Sequence, residues 1–261
     1  MNRDREPAVA GLFYPADPAT LQRRVQSLMA AAPVSLSDVK ALVVPHAGYQ
    51  YSGPIAASAY AQLTPIAPRI RRVLLFGPAH RVYFRGLAYP GAERLLTPLG
   101  PVELDREALD RLADLPQVHQ MDRPFSGEHC LEVHLPFLQS LLPSFRVVPL
   151  LVGDAAPEAV AEVMERLWGG PETLILVSSD LSHYLDYESA KRADLRTTQA
   201  IERLDAGGLD DHSACGCIPL RGLLLQARRL GLAERTLDLR NSGDTAGPRD
   251  QVVGYGAYAF Y

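Results

Sequence analysis

The side chains best equipped for chemistry follow short apolar runs. His46 comes directly after "VKALVVP", His80 closes "RRVLLFGPAH", and Asp180 closes "TLILVSSD" with His183 three residues further on. Cys215 sits in the loop "DDHSACGCIP", just ahead of a helical pattern. Two imidazoles with one anionic donor form a recurring transition-metal set. With a carboxylate and open positions it is the facial triad of non-haem iron oxygenases, and a thiolate shifts preference toward zinc or copper(I). A cysteine at a helix N-terminus is expected to have a lowered pKa, because the dipole favours thiolate. Asp180 and His183 have the spacing of residues that share a face, as a coordinating or proton-relay pair requires. Each also has a plainer reading: a hydrogen-bonded histidine at a strand end, a cap made by Ser178, Ser179 or Asp180, or a small-residue helix entry at "CGC".

In "EHCLEVHLPFLQSLL" the spacing of Leu131, His134, Leu135 and Leu138 is helical. It places His134 on a packed stripe as a satisfied histidine, and leaves Glu128, His129 and Glu132 to face a cleft. Pro136 is expected to bend or restart that helix. Cys130 reads as buried filler, and His119 and His212 as solvated loop residues. Tyr49 and Tyr51 read as packing residues, or as a hydroxyl turned into the site from a glycine-lined turn. Cys217 reads as space-filling, since thiols this close in sequence rarely form an unstrained disulfide. There is no Gly-rich phosphate loop with a lysine, no nucleophile elbow, no Cys-x-x-Cys pair and no His-Glu-x-x-His helix.

Elements must bring these residues together. "ADPATLQRRVQSLMAAA" predicts a helix with Asp17 as N-cap, and "DREALDRLADL" one with Asp105 as cap. "VKALVVP", "RRVLLFGP", "FRVVPLLVG" and "TLILVSS" are short, continuous and apolar, the signature of buried strands. Helical stretches alternate with them, and "RTLDLRNSGD" and "QVVGYGAYAF" close the chain as strands. The alternation predicts an α/β fold: one domain over residues 1–261, with a central, mostly parallel sheet flanked by helices. Parallel strands place their carboxyl ends along one edge, so His46, His80 and Asp180 are expected to converge there.

The chain has 261 residues, 47% hydrophobic and 21% charged, with a net charge of −4, an ordinary globular composition. No basic stripe appears, which argues against nucleic acid as a partner. No signal-like or membrane-length apolar run is present, and three cysteines make no disulfide framework. A cytoplasmic location without membrane partners is expected.

Seven segments in order, "REPAVAGLFYPADPATL", "PHAGYQYSGPIAASAY", "FGPAHR", "EHCLEVHLPFLQ", "VSSDLSHY", "ACGCIP" and "GYGAYAF", resemble the Memo family, also known as protein B of the AmmeMemoRadiSam system. The resemblance implies a fold like that of class III extradiol dioxygenases. It implies that His46, His80 and Cys215 hold iron or copper, Cys215 standing where those enzymes carry a glutamate. It also implies that Asp180, His183 and Tyr51 line the cleft, with His183 as the acid/base residue, and a functional link to a radical SAM protein. The expectation is a metal-dependent redox protein acting on a small molecule or peptide. His183 and Asp180 are its catalytic candidates, and Tyr51, Glu128 and His129 its substrate contacts. Two alternatives stay open: a binding module for peptides or phosphopeptides, and a zinc hydrolase with His183 or Asp180 as base.

Overall fold

The computed structural model describes residues 4–261. The elements run β1 (Asp4–Arg5), α1 (Pro18–Ala30), β2 (Ala41–Val44), α2 (Gly53–Tyr60), β3 (Arg72–Pro78), β4 (Leu87–Tyr89), β5 (Arg94–Thr97), β6 (Gly100–Glu103), α3 (Arg106–Asp110) and β7 (Val118–Gln120). They continue with α4 (Leu135–Leu141), β8 (Arg146–Val152), α5 (Pro157–Arg166), β9 (Thr173–Ser178), β10 (His183–Leu185), α6 (Tyr187–Glu202), α7 (Cys217–Leu230), β11 (Glu234–Asn241) and β12 (Val252–Phe260).

Four apolar runs make the centre of the main sheet, parallel in the order β2, β9, β3, β8. β2 and β9 are buried throughout, and β3 and β8 at all but their first residue, as strands covered on both faces must be. The α/β expectation therefore holds at the centre, and antiparallel pairs join the flanks to it, with β7 lying parallel to β4 at the far edge. β12 pairs antiparallel with β2, β10 and β11, and β4 pairs antiparallel with β8. A separate small sheet joins β1, β5 and β6. No helix among the described residues is long and apolar enough to cross a membrane.

Local chemistry sets the helix starts. Asp17 Oδ1 accepts the Thr20 N–H at 2.8 Å and Asp105 Oδ1 accepts that of Ala108 at 3.0 Å, so both expected caps form. The segment from Glu128 departs from expectation. It is no helix until a 3₁₀ turn at Glu132–His134, after which α4 starts with Pro136 in its first turn. The physical reason lies in Glu128, whose carboxylate accepts the backbone N–H groups of His129 and Cys130 and holds them in a turn.

The parallel register decides where the site lies. Val44 is level with Ser178, and Phe76 with Val177, so β2, β9 and β3 end side by side. His46, Asp180 and His80 leave from those three ends.

Candidate metal centre

A cavity of about 820 Å³ opens at this sheet edge. His46, His80, His129, Asp180, His183, Cys215 and Tyr51 all line it. Phe13, Tyr184 and Tyr255 add aromatic wall, and no lysine or arginine lines it among the described residues.

His46 is buried and His80 exposed toward the cavity. Their rings stand 5.2 Å apart, nearly edge to face. Cys215 Sγ lies 3.4 Å from His46 Nε2. One donor atom from each of His46, His80 and Cys215 falls within 4.8 Å of the others. Such a cluster is the right size for one ion.

The backbone makes this convergence. The His46 N–H donates to Asp180 Oδ1 at 2.8 Å, tying the end of β2 to that of β9. The Cys215 N–H donates to the Asp180 carbonyl at 3.2 Å, and the Asp180 N–H donates back to Cys215 Sγ at 3.3 Å. Gly216 then donates to Ser179 Oγ at 2.9 Å. A Cβ on Gly216 would stand 2.6 Å from the Ser178 carbonyl, so the loop reaches the strand end only with glycine there.

Glu128 was expected in the cleft, and it lies behind the cleft instead. It is buried and outside the cavity lining. Its Oε2 accepts the His80 N–H at 2.8 Å and its Oε1 accepts His80 Nδ1–H at 3.0 Å. Burial alone would raise its pKa, but these bonds and the charge of His80 win and hold the carboxyl well below the usual range. With His80 Nδ1 committed to this carboxylate, Nε2 is the ring atom left to face a metal. His80, Glu128 and His129 form a second close group of possible donors. Glu128 Oε1 already receives His80 Nδ1–H, His129 N–H and Cys130 N–H, so it serves as an orienting acceptor. His129 stacks on His80 at 5.4 Å and faces the cavity.

Glu132 also turns inward. It accepts the N–H groups of Ala8 and Val9 and the Tyr14 hydroxyl, fastening the N-terminal segment. His134 is buried with both ring nitrogens bonded, as its place on a packed stripe predicts. Tyr49 packs inside and donates to the Val133 carbonyl, whereas Tyr51 lines the cavity. Cys130 is buried, its thiol donating to the Pro78 carbonyl. Cys217 is buried in the core outside the cavity lining. His119 is exposed, and His212 is exposed where it borders the cavity.

The expected lowering of the Cys215 pKa does not hold. Burial and the nearby Asp180 charge push the thiol up, outweighing the N–H donors around it. Burial also pushes Asp180 up, to about 6, against the His46 N–H bond. His46 is pushed well below its ordinary value, first by burial and then by His80 and His129, so its ring is neutral. A neutral His46 ring and the His80 ring beside a thiol and a carboxylate are the donor chemistry that fits a soft to borderline divalent ion. Asp180 and His183 share no helix face. Asp180 follows β9 and His183 opens β10, with Tyr184 in the left-handed region at φ 61°.

Sequence reasoning missed Ser178 as more than a cap. Its hydroxyl lies 2.7 Å from His46 Nδ1 and 2.8 Å from His134 Nε2. The available signal was its position as the last residue of a strand that also delivers Asp180.

The Memo-like protein family model matches residues 5–259. MEMO1 family proteins of Aquifex aeolicus and Ignicoccus hospitalis are 35% and 36% identical, covering 97% and 98% of this chain and 97% and 98% of their own. That of Sulfolobus acidocaldarius is 34% identical over 96% of this chain and 97% of its own. In fold, the chain is similar to an uncharacterized protein, JW3007, of Escherichia coli K12. The TM-score is 0.57 at 13% identity, over 85% of this chain and 100% of that one. The near-complete coverage at this identity, on a chain whose motifs meet at one sheet edge, makes it a member of the Memo-like family.

Proposed function

We propose that the cavity binds one iron or copper ion through His46 Nε2, His80 Nε2 and Cys215 Sγ, and works as a metal-dependent oxidoreductase on a small organic molecule. The observation that carries this reading is the meeting of the three donors within 4.8 Å, with both histidines held from behind by other groups. When bound, such an ion supplies one-electron chemistry and Lewis acidity.

The remaining residues do the ordinary work of an active site. Asp180 braces the His46 backbone through Oδ1 and keeps Oδ2 3.9 Å from His46 Nε2, close enough to steer a charged ligand. His183, half-buried in the cavity wall, accepts or donates the substrate proton at a ring nitrogen. His129 and Tyr51 contact the substrate, and Phe13 and Tyr255 offer it apolar surface and exclude water. A lining without lysine or arginine among the described residues disfavours phosphopeptides, which are bound by arginine clusters.

The test is metal content after anoxic purification, for wild type beside His46→Ala, Cys215→Ser and Cys217→Ser. We expect close to one iron or copper ion per chain in wild type and Cys217→Ser, and loss in the other two. Oxygen uptake with small aromatic and thiol substrates follows on the loaded protein. Stoichiometric zinc with hydrolysis and no oxygen uptake would replace this reading with the hydrolase one. A wild type that neither carries nor takes up metal would overturn it.

A further inference from the structure

Ser178 Oγ touches three polar atoms and owns a single proton. One of the three, the Cys130 carbonyl oxygen at 2.7 Å, can only accept, so the serine proton goes there. The other two are His46 Nδ1 at 2.7 Å and His134 Nε2 at 2.8 Å. Both must therefore be N–H donors into the Ser178 lone pairs. His134, with Nε2 protonated, presents a bare Nδ1, and the Tyr60 hydroxyl donates to it at 2.7 Å. Every proton in the chain is thereby assigned by its partners. Tyr60 is fully buried, so the chain ends inside the protein and leads no proton to water.

We infer that Ser178, held in place by His134 and Tyr60, is a positioning residue that fixes His46 as the Nδ1–H tautomer and so keeps Nε2 bare toward Cys215. The one proton arrangement that would reverse His46 sends the Ser178 proton to His46 Nδ1. It leaves the Ser178 and Cys130 oxygens 2.7 Å apart with no proton between them, a repulsion that buried polar atoms resist. The tautomer is thus set in the protein before any ligand arrives. Its use as a donor rests on the metal reading, but the tautomer itself does not.

The experiment reads both separately. Long-range ¹H–¹⁵N correlation spectra of metal-free protein report which ring nitrogen of each histidine carries the proton. Competition titration with a copper chelator reports affinity. The expected wild-type result is Nδ1–H at His46 and Nε2–H at His134. In Ser178→Ala, His46 turns to Nε2–H, directed at Asp180 and Cys215, and metal affinity falls roughly 10- to 100-fold. Ser178→Thr keeps the hydroxyl and restores both. Tyr60→Phe removes one buried hydrogen bond and lowers stability, yet leaves the His46 tautomer and the affinity in place, which separates positioning from general loosening. Nε2–H at His46 in wild type, or Ser178→Ala with the wild-type tautomer, overturns the inference. Nδ1–H at His46 in a protein that takes up neither copper nor iron supports the inference and removes the metal reading.

Discussion

Replacing Glu128 with glutamine tests the least expected part of the site. The carboxylate accepts four N–H groups: Oε1 takes His80 Nδ1, His129 N and Cys130 N at 3.0, 2.9 and 3.1 Å, and Oε2 takes His80 N at 2.8 Å. A glutamine amide must turn its NH₂ toward one of these sets, so at least one acceptor becomes a donor facing a donor. Losing a charge-assisted bond costs about 1.5–3 kcal/mol, and a stranded buried donor adds about 1 kcal/mol or more. Taking about 2–4 kcal/mol in all, and about 2–4 °C per kcal/mol for a chain of this size, the melting temperature should fall by roughly 5–15 °C near neutral pH. The pH dependence carries a sign. Glu128 is held below its ordinary 4.5 in the folded protein, so its stabilisation is complete above that pH and is lost as pH falls below it. The gap between wild type and Glu128→Gln should be constant at neutral pH and narrow in acid. Loss of the acceptor on His80 Nδ1 should also weaken metal binding by roughly 10- to 100-fold. Thermal melts from acid to neutral pH, with a chelator titration alongside, decide the matter. A variant that melts with wild type at every pH and binds metal equally well would refute Glu128 as the anchor of His80.

Gly77→Ala should destabilise although it only adds a methyl group, because the new Cβ would stand 2.7 Å from both Cys130 Sγ and Leu131 Cδ2. An overpacking cost of about 1–3 kcal/mol is expected, read by chemical denaturation, and a neutral result would mean the segment after Glu128 yields easily. Glu234 is pushed up to about 7 by burial and by Glu202, so the folded protein holds a proton there that the unfolded chain releases from about 4.5. Stability should therefore decline as pH rises through that window. Glu234→Gln should remove the decline, and a melting profile parallel to wild type would count against it.

The sheet and the strand-end histidines were legible because their signals are local. Continuous apolar runs mark strands covered on both faces, Asp17 and Asp105 mark helix starts three residues ahead of the N–H groups they accept, and parallel neighbours bring their ends together. Glu128 was misplaced because helical periodicity describes a side chain's direction only if the backbone is helical. Here the carboxylate captures the next two backbone N–H groups and reaches His80 across 48 residues of sequence. Ser178 looked like a cap because sequence names a hydroxyl without its partners, and these come from two distant segments, His46 from one and Cys130 and His134 from the other. Tyr60 gave no signal in its run of small residues, because its partner His134 lies 74 residues away. β10, at three residues, was illegible because it is too short to show a period, and the antiparallel direction of β11 and β12 was hidden because an apolar run marks a strand without naming its neighbour.

The two histidines face the cavity as equals but are backed by different chemistry. His80 donates to an ionised carboxylate, which makes its Nε2 a stronger donor. His46 donates to a serine hydroxyl whose own proton is already spent, which orients the ring and adds little charge. Asp180 and the Cys215 sulfur sit on the His46 side, within 3.9 and 3.4 Å of its Nε2. Each half of the site therefore carries one source of negative charge, behind the ring at His80 and beside it at His46. With no lysine or arginine in the lining among the described residues, a cation held between the rings, as proposed above, would compensate that charge. A phosphorylated substrate would find no lysine or arginine to pair with, and that cation would be its one fixed charge partner. A neutral molecule would instead lie against Phe13, Tyr51 and Tyr255. On the proposed reading, the distribution of charge thus favours a neutral substrate over a phosphorylated one.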